Sequence, residues 1–153
     1  MSERSSAGLF YEHFASLENM PAEDRSLIEA AAKATLSAHA PYSHFRVGAA
    51  ARLQSGATIT AANCESEVFP SGMCAERSLL YFHASNHPCD NIVALAIASD
   101  PSERECYPCG ACRQALLDAE KRQQSPIRII MAGGGTATVV ESAETLLPFT
   151  FKL

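Results

Sequence analysis

Two short cysteine clusters in the middle of the chain constrain its fold more than any other feature. They read Cys74-Ala75-Glu76-Arg77 and Pro108-Cys109-Gly110-Ala111-Cys112. A zinc ion held by three protein ligands keeps an open position for water, as catalytic sites do, whereas four protein ligands make a closed, structural site. Because Glu76 lies beside these sulfurs and can exchange protons with such a water, the spacing predicts a zinc site with an open position.

Both clusters fall where helices are predicted to begin. Gly72 precedes Cys74 and Pro108 precedes Cys109, so backbone N–H groups and the helix dipole can stabilise thiolates there. Three thiolates leave a zinc site negatively charged, which weakens the pull of the metal on its water. Arg77 is the candidate cation that offsets this charge. From spacing alone, Arg77 is equally an exposed helix arginine in a surface ion pair.

Cys106 leaves an alternative open. Together with Cys109 and Cys112 it forms a Cys-x-x-Cys-x-x-Cys pattern, which can hold an iron–sulfur cluster. With Cys74 as well, the four sulfurs could form a closed zinc site. We interpret Cys106 as a free thiol, because Pro108 separates it conformationally from the helix start.

These motifs resemble those of the cytidine deaminase family, specifically its small three-cysteine branch. Zinc deaminases hold the metal with His or Cys from an x-Ala-Glu element and with a Pro-Cys-x-x-Cys element. The resemblance runs from about residue 40 to residue 151 and includes Pro41-Tyr42-Ser43-His44-Phe45-Arg46-Val47-Gly48-Ala49-Ala50, Asn63-Cys64-Glu65, Arg113-Gln114 and Leu146-Leu147-Pro148. It implies one zinc ion per subunit, held by Cys74, Cys109 and Cys112, with Arg77 hydrogen-bonded to the sulfurs.

The resemblance also implies the substrate contacts. Asn63 and Glu65 would hold the ribose 3′-hydroxyl, and the backbone N–H of Ala75 would bind the base carbonyl oxygen. Phe45 would offer a flat face to the base. Phe151 would reach the pocket of a neighbouring subunit, which implies a homotetramer with shared sites. From the residues alone, loop capping is the usual role of isolated residues such as Asn63 and Glu65, and a residue such as Phe45 at the start of a strand more often belongs to the core.

The chain departs from the pattern of this family at several positions. Tyr107 stands where the family often has Ser, Phe149 is a large residue in the final loop, and Ser66-Glu67-Val68-Phe69 replaces the more usual Asn-Ala-x-Tyr. Cys64 separates the two ribose contacts; it and Cys89 are interpreted as small buried side chains. None of these departures removes a metal ligand or Glu76.

The implied reaction is zinc-dependent hydrolytic deamination of cytidine and 2′-deoxycytidine to the uridines, with release of ammonia, in pyrimidine salvage. Glu76 would take a proton from the attacking water, pass it to N3 of the pyrimidine and help ammonia leave C4. A carboxylate beside the sugar repels phosphate, which favours a nucleoside over a nucleotide. The alternatives are a deaminase of a related aminopyrimidine nucleoside, of the blasticidin type, and a non-enzymatic four-cysteine zinc module.

Length and composition limit the remaining possibilities. With 153 residues, 47% of them hydrophobic, the chain suits one domain, which we place at residues 21–153 after an arm at 1–20. A net charge of -5 disfavours a nucleic-acid partner. No apolar run is long enough to span a membrane, and the N-terminus lacks a signal-peptide core, so we expect a cytoplasmic protein with reduced cysteines.

The apolar patterns predict a layered α/β/α domain with a mixed sheet of about five strands. The predicted helices begin at Pro21, Cys74 and Cys109, and the predicted strands cover 45–53, 57–63, 92–98, 127–132 and 136–140. Because Gly133-Gly134-Gly135 is too short for a crossover, the last two strands are predicted to be antiparallel. Residues 1–20 suit either a helical stripe or an extended arm, and both remain open.

Overall fold

A computed structural model describes residues 9–153, and within this range three helices pack on a six-stranded sheet. The helices are α1 (Ala22–Ala34), α2 (Ala75–Asn86) and α3 (Gly110–Gln123). The strands are β1 (Glu12–Phe14), β2 (Arg46–Leu53), β3 (Thr58–Ala62), β4 (Ile92–Asp100), β5 (Arg128–Gly133) and β6 (Thr136–Val140). None of the helices between residues 9 and 153 is long and apolar enough to cross a membrane.

The sheet is mixed, with the strand order β1-β6-β5-β4-β2-β3. β4 and β5 pair in parallel, and each of the other neighbouring pairs is antiparallel. The predicted antiparallel pairing of the last two strands is confirmed. Gly134 and Gly135 form their two-residue turn with φ angles of +61° and +81°, which a residue with a side chain rarely adopts.

The sixth strand, β1, comes from the segment that the sequence pattern left open. Residues 12–14 are extended and pair with β6, with Glu12 opposite Val139, and a short 3-10 turn follows at Leu17–Asn19. The described part of the arm is therefore a strand at the edge of the sheet, not a helical stripe. Residues 1–8 of the predicted arm lie outside the described residues.

The two faces of the sheet support the two helical layers. Side chains alternate along β4, so Ala94, Ala96 and Ala98 pack on the α1 side, while Leu95 and Ile97 pack on the side of α2 and α3. β4 is consequently buried on both faces, as its unbroken apolar run predicted. This sandwich fixes both helices of the second layer relative to the sheet.

The topology brings the two cysteine clusters to one edge of the sheet. β3 and β4 both lie antiparallel to β2, so they point in the same direction and their carboxyl ends lie at the same edge. α2 follows β3, and α3 follows β4. Their first turns, which carry the cysteines, therefore meet at that edge, as ligand-binding elements do in open α/β sheets.

Candidate metal centre and active site

Three sulfur atoms converge where α2 and α3 begin. Cys74 and Cys109 are extended residues immediately before α2 and α3, and Cys112 lies fully buried in the first turn of α3. The Cys109 sulfur lies 4.0 Å from that of Cys74 and 3.5 Å from that of Cys112. Tetrahedral zinc with thiolate ligands separates its sulfurs by about 3.8 Å. The observed spacing therefore fits a zinc ion held by these three residues.

The charge of the three thiols also suits a cation. Hydrogen bonding with Cys112, and then with Arg77, lowers the pKa of the Cys74 thiol to about 5, although burial acts in the opposite direction. The negative sulfur of Cys74 in turn raises the pKa of the Cys112 thiol above its ordinary value. A thiolate at Cys74 is thus already present at neutral pH, and a divalent cation would favour the ionisation of Cys112.

The cysteines outside this group differ in their surroundings. Among the described residues, Cys74, Cys109 and Cys112 form the one group of three or more candidate ligands, and it does not include Cys106. Cys106 is buried, and that burial raises its pKa to about 11. The interpretation of Cys64 and Cys89 as buried side chains is wrong, because both are exposed. They lie in the loops before and after α2 rather than in the core.

Glu76 lies in the first turn of α2, two residues after Cys74, and is 4% exposed. Burial raises the pKa of its carboxyl group, and the negative sulfur of Cys74 raises it further. A carboxyl group whose pKa is raised toward neutrality can both accept and return a proton. The position and protonation behaviour of Glu76 therefore suit a proton carrier beside the metal ligands.

Arg77 is half-buried and faces the sulfurs. Its Nη2 donates a hydrogen bond to the sulfur of Cys74 at 3.6 Å, and this bond raises the pKa of the guanidinium group. Its buried Nε has no hydrogen-bond partner among the described residues. Of the two interpretations left open by the sequence, the contacts favour the one in which Arg77 compensates the charge of the metal ligands.

A cavity of about 550 Å³ opens next to Cys74. Its lining includes Asn63, Glu65, Cys74 and Arg77, so the structure brings together four of the predicted site residues. Tyr42 and Phe69 also line it, with their rings edge-to-face at 6.4 Å. The sequence interpretation missed these two rings as cavity-lining groups, although both lie in segments that it had singled out.

The other predicted substrate contacts lie outside this cavity. Phe45 lines a second cavity, of about 650 Å³, together with Cys106 and Tyr107. Ala75 is fully buried at the start of α2. Phe151 lies near the C-terminus and is 72% exposed. Within a single chain, the cavity beside Cys74 therefore contains neither the ring of Phe45 nor that of Phe151.

Asn63 and Glu65 bind the start of β2 and the loop that precedes it. Asn63 accepts a hydrogen bond from Val47 N at 2.8 Å and donates one to Phe45 O at 3.0 Å. Glu65 accepts hydrogen bonds from the backbone N–H groups of Tyr42 and Ser43, at 2.9 and 3.2 Å, and from the Ser43 hydroxyl. The last of these lowers the pKa of Glu65 most. The loop-capping interpretation therefore describes their contacts in this structure.

Comparison with known proteins places these features in one family. The family model described as the cytidine and deoxycytidylate deaminase zinc-binding region matches residues 21–125, which include both cysteine clusters. A probable cytidine deaminase of Dictyostelium discoideum is 40% identical over 125 residues, which cover 82% of this chain and 81% of that protein. A cytidine deaminase of Halalkalibacterium halodurans is 40% identical over 92 residues, which cover 60% of this chain and 68% of that protein.

A solved structure agrees with the same assignment. The crystal structure of cytidine deaminase from Burkholderia pseudomallei superposes with a TM-score of 0.73 and 32% sequence identity, over 86% of this chain and 100% of that one. The sequence match spans the three sulfurs and Glu76, and the structural match spans the layered fold that positions them. The chain therefore belongs to the cytidine and deoxycytidylate deaminase family.

Proposed function

We propose that the protein catalyses the zinc-dependent hydrolytic deamination of cytidine and 2′-deoxycytidine, giving uridine and 2′-deoxyuridine and releasing ammonia. The observation that carries this proposal is the buried carboxyl group of Glu76 beside three converging cysteine sulfurs. The membership of the chain in the deaminase family supports it, as do relatives that are themselves named cytidine deaminase.

Cys74, Cys109 and Cys112 would hold one zinc ion per subunit. When bound, zinc would act as a Lewis acid that lowers the pKa of the attacking water to about 7, so that the water can lose a proton at neutral pH. Glu76 accepts a proton from the attacking water and delivers it to N3 of the pyrimidine, so that C4 becomes electrophilic. The hydroxyl oxygen bonds to C4, and Glu76 takes the second proton from this hydroxyl group and passes it to the amino group. The C4–N4 bond then breaks, ammonia leaves, and the oxygen becomes the C4 carbonyl of the uridine product.

Arg77 supports this chemistry by reducing the negative charge of the sulfurs. Its hydrogen bond to the sulfur of Cys74 draws electron density away from that ligand. A less negative ligand set leaves the metal a stronger Lewis acid. The guanidinium group thus contributes through the sulfur and needs no contact with the substrate.

Asn63 and Glu65 bind the sugar of the substrate, Phe45 stacks against the base, and the backbone N–H of Ala75 binds the base carbonyl oxygen. The sugar contacts are supported by the presence of Asn63 and Glu65 in the lining of the cavity beside Cys74. Their hydrogen bonds to residues 42–47 fix the segment that carries Phe45. The carboxylate of Glu65 repels a phosphate group and favours an uncharged nucleoside. The substrate is therefore a free nucleoside, with water as the second reactant.

Phe151 completes the site of a neighbouring subunit, which makes the active protein a homotetramer. Phe149 and Phe151 are both exposed near the C-terminus. Two exposed aromatic side chains that lie so close together in the sequence suit a contact with another chain. The catalytic domain covers residues 21–153, and the arm at 1–20 contributes β1. The reaction serves pyrimidine salvage in the cytoplasm.

The two alternative functions have less support. A closed zinc module needs a fourth sulfur, and Cys106 lies outside the group formed by Cys74, Cys109 and Cys112. A deaminase of the blasticidin type shares the metal centre, but the similar proteins are named cytidine deaminase.

An ultraviolet assay against a panel of nucleosides tests the proposal. The purified protein is incubated separately with cytidine, 2′-deoxycytidine, adenosine and guanosine, and its zinc content is measured in parallel. We expect turnover of the two cytosine nucleosides by protein that contains one zinc ion per chain. Zinc-loaded protein that leaves both cytosine nucleosides unchanged would refute the proposal.

A further inference from the structure

A buried carboxylate lies outside the cavity beside Cys74 and links three segments of the chain. The side chain of Glu105 is 6% exposed. Its Oε1 accepts a hydrogen bond from the Thr136 hydroxyl at 2.6 Å, and its Oε2 accepts one from the Tyr107 hydroxyl at 2.9 Å. The Nδ1 atom of His13 lies 3.4 Å from Oε1. We call these four residues the Glu105 network.

Glu105 is ionised at neutral pH despite its burial. Burial by itself raises the pKa of this carboxyl group, but the hydrogen bonds from Thr136, Thr138 and Tyr107 outweigh that effect and lower the pKa below its ordinary value. Hydrogen bonds to an ionised acceptor are stronger than those between neutral groups. The Glu105 network therefore holds its members firmly in place.

The Glu105 network connects the edge of the sheet to the loop that carries a metal ligand. His13 belongs to β1 and Thr136 begins β6, whereas Tyr107 directly precedes Pro108 and Cys109. Because the Tyr107 ring is 56% exposed, its hydrogen bond to Glu105, rather than burial, fixes its direction. Because the φ angle of Pro108 is restricted, a displacement of Tyr107 would also displace Cys109.

The backbone around Glu105 is held close to β5. The N–H group of Cys106 donates a hydrogen bond to Ala132 O at 3.1 Å. A Cβ atom at Gly133 would collide with the carbonyl oxygen of Arg104, so this close approach requires glycine there. On its other side, Pro108 O accepts a hydrogen bond from Arg113 Nε at 2.9 Å. The segment from 104 to 108 is thus anchored before it reaches Cys109.

We propose that Glu105 is a positioning residue for the metal centre, which fixes the segment presenting Cys109 through its hydrogen bond to Tyr107. This inference deepens the proposed function and rests on the part of it that assigns zinc to the three cysteines. Glu105 itself belongs neither to the three-cysteine group nor to the lining of the cavity beside Cys74. Its contribution is to slow the movement of the Cys109 sulfur away from the position that a bound ion requires.

A matched pair of variants separates this role from a general contribution to stability. Tyr107→Phe and Thr136→Val each remove one hydroxyl donor from the same carboxylate, but only Tyr107→Phe removes the hydrogen bond made by the residue that directly precedes Pro108 and Cys109. Zinc-loaded protein is mixed with an excess of a chromophoric chelator, and the rate of zinc transfer is followed by absorbance. The unfolding temperature of each variant is measured in parallel.

We expect Tyr107→Phe to release zinc about tenfold faster than the parent protein, since removing supporting hydrogen bonds around metal ligands weakens metal binding by about 10–100-fold. Thr136→Val keeps the hydrogen bond from Tyr107 and is expected to release zinc at the parent rate, even where its unfolding temperature falls. Glu105→Gln removes the charge that strengthens the bond from Tyr107, and it is expected to accelerate zinc release as Tyr107→Phe does.

Two results would overturn the inference. One is zinc release at the parent rate from Tyr107→Phe. The other is equal acceleration in Thr136→Val and Tyr107→Phe, because that would indicate a loss of stability without a specific connection to Cys109. Zinc release does not require turnover, so a parent protein that binds zinc without deaminating cytidine would refute the proposed function and leave this comparison intact.

Discussion

Arg77 donates a hydrogen bond from Nη2 to the sulfur of Cys74 at 3.6 Å, across the first turn of α2. This contact places a positive charge against a ligand set that would otherwise be strongly negative. Arg77 directly follows Glu76, so the proposed ligand, proton carrier and compensating charge come from one short stretch of the chain. The chemistry of the site therefore depends on how α2 begins.

Replacing Arg77 with Gln removes the positive charge and keeps a side chain of similar length. We expect kcat to fall about 10–100-fold because the sulfurs regain their negative charge and the bound metal becomes a weaker Lewis acid. Steady-state kinetics with cytidine, normalised to zinc content, measure this effect. Arg122→Gln, at an exposed position in the last turn of α3, is the control and should keep the parent rate. Equal kcat values for Arg77→Gln and Arg122→Gln would contradict the role assigned to Arg77.

The cysteines should differ in their reaction with iodoacetamide. Burial raises the pKa of Cys106 to about 11, so only about one thiol in a thousand is ionised at pH 8, and the reactive fraction increases as the pH rises toward 11. We expect Cys64 and Cys89, which are exposed, to be alkylated in the native zinc-loaded protein. Cys106 should stay unmodified, both in this form and after a chelator has removed the zinc.

Peptide mass spectrometry after alkylation at pH 8 measures this pattern. Removal of zinc should expose Cys74 to alkylation first, because its pKa is about 5. If Cys106 were protected only while zinc is bound, and reacted like Cys74 once the metal is removed, this result would instead indicate that Cys106 is a fourth sulfur ligand.

Much of this site could be predicted from the sequence because its parts are local. The spacing of Cys109 and Cys112 places both sulfurs at one helix start, and the apolar pattern of β4 identifies a central strand. The turn at Gly134 and Gly135 requires positive φ angles, which glycine provides. Each of these features is determined by residues close together in the chain.

The features that the sequence did not indicate depend on distant residues. β1 has only three residues, which is too short for a hydrophobic repeat, and it is stabilised by pairing with β6. The bond between Glu105 and Thr136 joins residues 31 positions apart, and a sequence pattern does not show such a pair. The residue types of Asn63 and Glu65 suggested loop capping, but they did not indicate that the partners would be residues 42–47, which lie 16 to 23 positions away.

Asp24→Asn should destabilise the protein without changing its chemistry. Asp24 is 1% exposed and accepts hydrogen bonds from Arg128 Nη2 and Nε at 2.9 and 3.1 Å, which join α1 to β5. Losing the charge weakens this pair, and we expect the free energy of unfolding to fall by about 2–3 kcal/mol. Chemical denaturation measures the loss. A lower kcat at denaturant concentrations at which the variant is still folded would contradict this separation of stability from activity.

Cytidine should be a far better substrate than cytidine 5′-monophosphate. The carboxylate of Glu65 lines the cavity beside Cys74, and its pKa is lowered by the hydrogen bond from Ser43, so it is negatively charged at neutral pH. Its repulsion of a phosphate group should reduce kcat/KM for the nucleotide. Competition between the two compounds in one assay measures the ratio directly. Comparable values of kcat/KM would contradict the placement of Glu65 beside the sugar.

The most direct test of the whole account measures zinc content and cytidine turnover together in Glu76→Gln. The amide has the shape of the carboxyl group but cannot carry a proton, and the three cysteines are unchanged. We predict about one zinc ion per chain, as in the parent, and a fall in kcat of about 10²–10⁴-fold, the usual contribution of general acid–base catalysis. Zinc-loaded Glu76→Gln that turns over cytidine at the parent rate would contradict the central claim that Glu76 moves the proton.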